Sequence, residues 1–267
     1  MLFVPRLCAR ATAIACTLVL LSCGPRAFAA LPDEIQVYVD DLNDPGQAGL
    51  QLHVNTTPVG VTEPDYPGEN LAVHATRFTF EPSYGINRNW EAGAYLPLVM
   101  NADGGLRAAG FRLRLKWVPI RPAPEAAGFF LGANGELGQV QSRFEINRRE
   151  FELRPLLGWH NADWLLAVNP VLTFTLRGPD AGHPPEFAPS YKFARTIAQG
   201  IATGLEYYTD VGTIADIEAL SDQKRTLYWA FDIDRKPWNV NFGIGRGLTS
   251  STDRWTVKMI IDIPLRN

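Results

Sequence analysis

Beyond its first thirty residues the 267-residue chain has no cysteine at all, since Cys8, Cys16 and Cys23 are its only three. In an exported protein that composition excludes a disulfide framework and any thiolate metal site. Histidine is nearly as scarce, with only His53, His74, His160 and His183, and they do not combine with acids at metal-ligand spacing. After residue 30 no apolar run approaches the ~18 residues that a spanning helix needs. Basic charge is also in deficit, at 25 Lys and Arg against 28 Asp and Glu, for a net charge of −3. Such a balance argues against nucleic acid as a partner.

What the first thirty residues do contain is an export signal. Arg6 and Arg10 form a positive start, Ala13 to Leu21 an apolar stretch, and Ala27-Phe28-Ala29 an A-x-A cleavage site, the pattern of a secretory signal peptide over residues 1–29. A lipobox-like alternative, Leu20-Leu21-Ser22-Cys23, competes with it and fits less well at Leu21. Cleavage after Ala29 removes Arg6, Arg10 and Arg26 and leaves 22 basic against 28 acidic residues, a net −6. An exported chain without an apolar helix is either soluble in the periplasm or a β-barrel of the outer membrane.

Periodicity decides between them. Phe111, Leu113, Leu115 and Trp117 alternate with Arg112, Arg114 and Lys116. Trp255, Val257, Met259, Ile261, Ile263 and Leu265 alternate with Thr256, Lys258 and Asp262, and Leu227 to Ile233 repeats the pattern. A period of two marks strands with one apolar and one polar face. Twelve strands are expected, near 47–57, 71–84, 89–98, 106–118, 127–138, 149–159, 164–176, 187–195, 199–208, 225–233, 237–247 and 253–263. These are the lengths that tilted membrane strands require. Short and long connections alternate along the chain, as periplasmic turns and extracellular loops do. The expectation is an all-β fold, an antiparallel transmembrane β-barrel over residues 47–267, preceded by an N-terminal segment (30–46). That segment sits on the periplasmic side or in the barrel mouth, and its stretch 34–40 is the candidate for a further strand. Pro97, Pro155, Pro170 and Pro189 fall inside expected strands, where each removes a ladder donor.

Trp90, Trp117, Trp159, Trp164 and Trp238 all fall at the turn ends of their strands, on the apolar face. This is the placement of a periplasmic aromatic girdle. If the apolar face meets lipid, the other face lines the lumen with Arg77, Glu81, Glu91, Arg112, Arg114, Lys116, Glu136, Glu150, Glu152, Arg154, Lys192, Glu206, Asp232, Lys258 and Asp262. The run Arg112, Arg114, Lys116 favours anionic or polarisable cargo if a path exists. A twelve-strand lumen lies between barrels filled by side chains and barrels that leave a channel, so an open path and a plugged one both stand. A catalytic alternative needs a nucleophile within reach of a base, and His74 with Thr76 is the nearest pairing. No catalytic residue is assigned, and no cofactor or metal is implied. Gly243, Gly245 and Gly247 alternate within a strand and do not open a helix, so they form no nucleotide loop.

Two stretches carry a resemblance. Leu31-Pro32-Asp33-Glu34-Ile35-Gln36-Val37-Tyr38, and Asn241-Phe242-Gly243-Ile244-Gly245 followed by Asp253-Arg254-Trp255, resemble proteobacterial outer-membrane transporter-like β-barrels related to the phenol-degradation meta-pathway family. The resemblance implies a passive or facilitated transporter or channel for small, hydrophobic or aromatic solutes, not an enzyme. A lipid-modifying outer-membrane enzyme and a plugged structural or binding barrel remain as alternatives. The partners expected of such a protein are outer-membrane lipid and lipopolysaccharide, the barrel-assembly machinery and a small-molecule solute. Many outer-membrane barrels end on an aromatic residue; this chain ends Leu265-Arg266-Asn267.

Overall fold

The computed structural model describes residues 34–123 and 126–265. The leader, its cleavage site and Cys23 lie outside the described residues. Alternating side chains drive the chain into twelve long antiparallel strands, as expected. They are β1 (Ala48–Val59), β2 (Thr76–Asn87), β3 (Trp90–Met100), β4 (Leu106–Ala108 continued by Gly110–Ile120), β5 (Gly128–Val140) and β6 (Arg149–His160). The second half comprises β7 (Trp164–Asn169 and Leu172–Arg177), β8 (Glu186–Phe187 and Ser190–Ala198), β9 (Ile201–Asp210), β10 (Lys224–Arg235), β11 (Trp238–Gly247) and β12 (Trp255–Leu265). Each pairs with the next, and β12 returns to β1 with Leu50 opposite Ile263 and Thr56 opposite Val257. The sheet is therefore a closed barrel, which leaves no free edge.

Connections are short at one end, where 199–200 is a two-residue turn made possible by Gly200 at φ +67°. At the other end they are long, and the 211–223 loop carries a small hairpin, Gly212–Thr213 paired with Asp216–Ile217. The stretch 34–40 is not a thirteenth strand; it forms no ladder and runs inside the barrel.

The barrel is apolar outside and polar inside, the reverse of a water-soluble sheet packing. Leu115 is 45% exposed and Trp229 60%, whereas Lys258 is 1% exposed. Trp90 and Trp117 stack at 5.6 Å on the outer wall. Trp90, Trp117, Trp159, Trp164 and Trp238 all stand near the short-turn ends of their strands.

The in-strand prolines also find a structural account. Proline cannot donate to a ladder, and each of the four sits where pairing is already interrupted. Pro97 faces the break at Ala109, whose amide donates to the Pro97 carbonyl at 2.8 Å. Pro170 and Pro189 occupy the gaps that divide β7 and β8. Pro155 stands opposite the gap in β7, between the Leu153–Leu172 and Leu157–Val168 pairs.

Candidate functional site

The lumen is the site, and its wall follows directly from strand parity. Arg77, Glu81, Glu91, Arg114, Lys116, Glu136, Glu150, Glu206 and Lys258 are buried on the inner face. Arg112, Glu152, Arg154, Lys192, Asp232 and Asp262 lie on the same face, partly open to solvent. These charges are not spread evenly; nine of the fifteen fall into three ion-paired groups. Arg114 bridges Glu81 and Glu91, each at 2.7 Å, and Glu81 also meets His53 at 3.0 Å. Glu206 is paired with Lys258 and with Lys192 at 3.2 Å, and Lys192 reaches Asp232 at 2.8 Å. Arg154 binds Glu152 at 2.9 Å and Glu34 at 2.8 Å. Buried charges persist only when paired and hydrogen-bonded, and here each group supplies its own counter-charge.

The cationic run of β4 is thereby corrected as a source of anion preference. Arg112 meets Glu145 at 3.4 Å, Arg114 is held between two carboxylates, and Lys116 meets Asp41 at 2.5 Å. None of the three offers an uncompensated positive charge to a solute.

The residues that sequence reasoning did not assign to the site belong to the segment Glu34–Gly46. It is seated in the lumen by contacts from most of the barrel's circumference. Asn169 of β7 is completely buried; its Oδ1 accepts the Tyr38 amide at 2.7 Å, and its Nδ2 donates to the Tyr38 carbonyl at 3.0 Å. Lys258 donates to the Ile35 carbonyl at 2.9 Å, and Lys116 to the Asp41 carbonyl at 2.7 Å. The Asn43 amide donates to Glu91 at 2.6 Å. Gly85 leaves space for the Asn43 and Asp44 carbonyls, which a Cβ there would meet at 2.5 and 2.4 Å.

Tyr38 lies at the centre of this arrangement. Its ring has the Arg154, Lys116 and Arg114 cations at 4.7, 5.0 and 5.8 Å from its centroid, within cation–π range. Its hydroxyl is hydrogen-bonded with that of Tyr95. Val37 and Tyr38 also pack on an apolar patch of the inner wall formed by Val118, Phe130, Leu156 and Ala167. The signal for this patch was present in the sequence, because Val118, Phe130 and Leu156 are apolar at inward positions where alternation calls for polar residues.

The segment divides the lumen into two vestibules. The one toward the long loops, about 320 Å³, is lined by eleven carboxylates and four cations, with Tyr95, Tyr208 and Tyr228 among them. The one toward the short turns, about 220 Å³, is lined by Asp41, Glu206, Asp232, Asp234 and Asp262 against Lys192 alone. Gln36 lines both. Among the loop carboxylates of the larger vestibule, burial holds Glu69 above its usual range. Burial does the same to Asp253, although Asp253 accepts the Val61 amide at 3.0 Å.

The histidine pairing considered for catalysis does not assemble. His74 occupies a turn at φ 60° and is exposed, while the Thr76 hydroxyl donates to Thr56 Oγ1 at 3.1 Å. His53 is buried against Glu81, and His160, the last residue of β6, lies 3.3 Å from Asp40 of the N-terminal segment. Among the described residues no group of His, Cys, Asp and Glu has the geometry to hold a metal.

No family model matches the chain, and no curated protein matches it. Solved structures do. An outer membrane channel from Pseudomonas putida superposes with a TM-score of 0.59 at 11% identity, over 87% of this chain and all of that one. The NanC porin gives 0.54 at 9% identity, over 82% of this chain and all of that one. The KdgM porin gives 0.52 at 10% identity, over 82% and 99%. The fold is that of a porin-type barrel. At these identities the likeness concerns the fold alone.

Proposed function

We propose that the protein is a narrow channel of the bacterial outer membrane that passes small hydrophilic solutes, prefers cations, and is constricted by its own N-terminal segment. One observation carries the reading: two acidic vestibules meet at a single seated segment, Glu34 to Asp41, inside a wall whose outer face is apolar. A lining with eleven carboxylates to four cations concentrates cations and repels anions, because low-dielectric walls focus the field of fixed charge along the path. The same polarity disfavours the hydrophobic or aromatic solutes that the sequence resemblance implies. The export signal supports outer-membrane delivery, with cleavage after Ala29, the short turns in the periplasm and the tryptophans forming a girdle at that interface. Membrane lipid, lipopolysaccharide and the assembly machinery are then its partners, and its role is passage, not catalysis.

The test is conductance of the purified full-length mature chain in planar bilayers under a potassium chloride gradient. A small conductance with a reversal potential on the potassium side is expected. A reversal potential on the chloride side would overturn the cation preference. Absence of any conductance, even in a variant whose segment is released, would overturn the channel.

A further inference from the structure

The outer wall has an unusual charge pattern. By regular alternation the described side chains that point outward from the twelve strands are apolar or uncharged, with five exceptions, Arg149, Arg195, Arg225, Arg235 and Arg246; Arg177, at the bulged end of β7, lies outside that alternation and is exposed. No carboxylate and no lysine shares that face among the described residues. Lysines and carboxylates of the strands turn inward, so the arginines are not matched by acids beside them.

At one place on the long-loop rim two arginines are forced together. Arg149 of β6 stands directly opposite Arg177 of β7, and the register shift there sets Leu176 and Arg177 together against Arg149. Like charges directly opposite on a sheet are destabilising. Arg148 is exposed beside them, and its amide donates to the Arg177 carbonyl at 2.9 Å. The Arg149 guanidinium donates to Gln139 at 2.9 Å, which keeps it on the outer surface. The carboxylates of this corner are engaged elsewhere: Glu145, Glu150 and Glu186 line the lumen, and Asp180 is turned to Asn147 and His183. Immediately below the arginines lies apolar surface, where Phe151 and Phe174 pack at 6.1 Å with Leu137 and Leu176 exposed on either side.

We propose that Arg149 and Arg177, with Arg148, bind the phosphate of a phosphorylated membrane amphiphile whose acyl chains lie on Phe151, Phe174, Leu137 and Leu176. Guanidinium groups meet phosphate oxygens in a bidentate manner. An anion between the two arginines replaces their repulsion by two charge-assisted contacts. The apolar surface below restricts the ligand to an amphiphile, so the site selects a lipid headgroup over free phosphate. This site rests on the reading of the apolar wall as lipid-facing.

The experiment uses the folded full-length mature protein in detergent, titrated with diphosphoryl lipid A, with fully dephosphorylated lipid A and with inorganic phosphate, bound lipid being counted by native mass spectrometry. Diphosphoryl lipid A is expected to bind, and R149Q/R177Q to weaken it roughly tenfold or more, the scale of lost charge-assisted contacts. R195Q/R235Q, at the opposite rim, is expected to leave binding unchanged. Equal binding of dephosphorylated lipid A, or equal binding by R149Q/R177Q, would overturn the site. Inorganic phosphate binding as tightly as the lipid would overturn the choice of an amphiphile. Quenching by acyl chains at Leu113 and Met259, measured in liposomes of the same protein, separates the two claims. With quenching present, a failure at the arginines removes only this site; with quenching absent, the lipid-facing reading itself falls.

Discussion

Replacing Asn169 with alanine is the sharpest way to unseat the N-terminal segment without touching a charge. The asparagine is fully buried and spends both ends of its amide on the Tyr38 backbone, at 2.7 and 3.0 Å. Truncation removes two hydrogen bonds and leaves a buried N–H and C=O without partners, at about 1–3 kcal/mol for each stranded group. The sum is roughly 2–4 kcal/mol once water from the vestibules reaches the gap. At about 1.4 kcal/mol per tenfold, the seated-to-released equilibrium should shift roughly 30- to 1,000-fold. The assay exploits the absence of cysteine after Cys23. Val37, buried on the inner apolar patch, is replaced by cysteine in both the parent and the N169A chain. Its modification by a water-soluble thiol reagent then tracks transient release of the segment. The rate should rise by the factor above, while a cysteine at the outward position 115 reacts equally in both chains. A rate within about threefold of the parent, in a variant that still shows the folded barrel's mobility before boiling, would refute this account of how the segment is held; the margin is set against the ~2 kcal/mol lower bound.

Further outcomes follow from the lumen and the wall. Arg114→Ala strands Glu81 and Glu91 in a buried site and should cost about 3–5 kcal/mol, read as a lower unfolding midpoint in urea; Arg112→Gln, at a side chain 17% exposed and paired at 3.4 Å, should change it far less. Leu115→Arg, on the lipid-facing side, should cost roughly 2–4 kcal/mol if it lies near the bilayer midplane, whereas Phe129→Arg close to the short-turn rim should cost about 0–1 kcal/mol, both measured by refolding into liposomes. Cation preference should weaken as pH falls. Glu69 and Asp253 are held above the usual carboxylate range by burial, so they take up protons at higher pH than free carboxylates and lower the negative charge of the loop-side vestibule; reversal potentials recorded across a pH series check the direction.

Nearly all of the wall was legible in the sequence, because alternation over ten or more residues constrains both the strand and its face. Phe111 to Trp117 shows why: one-residue slippage would put Arg112, Arg114 and Lys116 into lipid. What alternation could not convey was which inward charges meet. Arg114 finds Glu81 on β2 and Glu91 on β3, partners 33 and 23 residues away, so the cationic run looked free when it is neutralised. The segment 34–40 was hidden for a related reason. Its alternating Glu34-Ile35-Gln36-Val37-Tyr38-Val39-Asp40 has the pattern of a strand, yet its polar groups are satisfied by side chains such as Asn169 and Arg154 and not by a ladder. The prolines were puzzling one strand at a time and make sense only across strands, where Pro155, Pro170 and Pro189 share one interrupted level of the barrel.

The central claim, a polar path within an apolar wall, is tested most directly by mapping both faces at once in liposomes. Single probes at Leu115 and Met259 report the outer face, and probes at Thr226 and Asn239, which line the two vestibules, report the inner one. Quenchers confined to acyl chains should reach only the first pair, and small water-soluble quenchers only the second. Acyl quenching at Thr226 and Asn239 with Leu115 and Met259 shielded would invert the wall, and water reaching all four equally would contradict the barrel's place in the membrane.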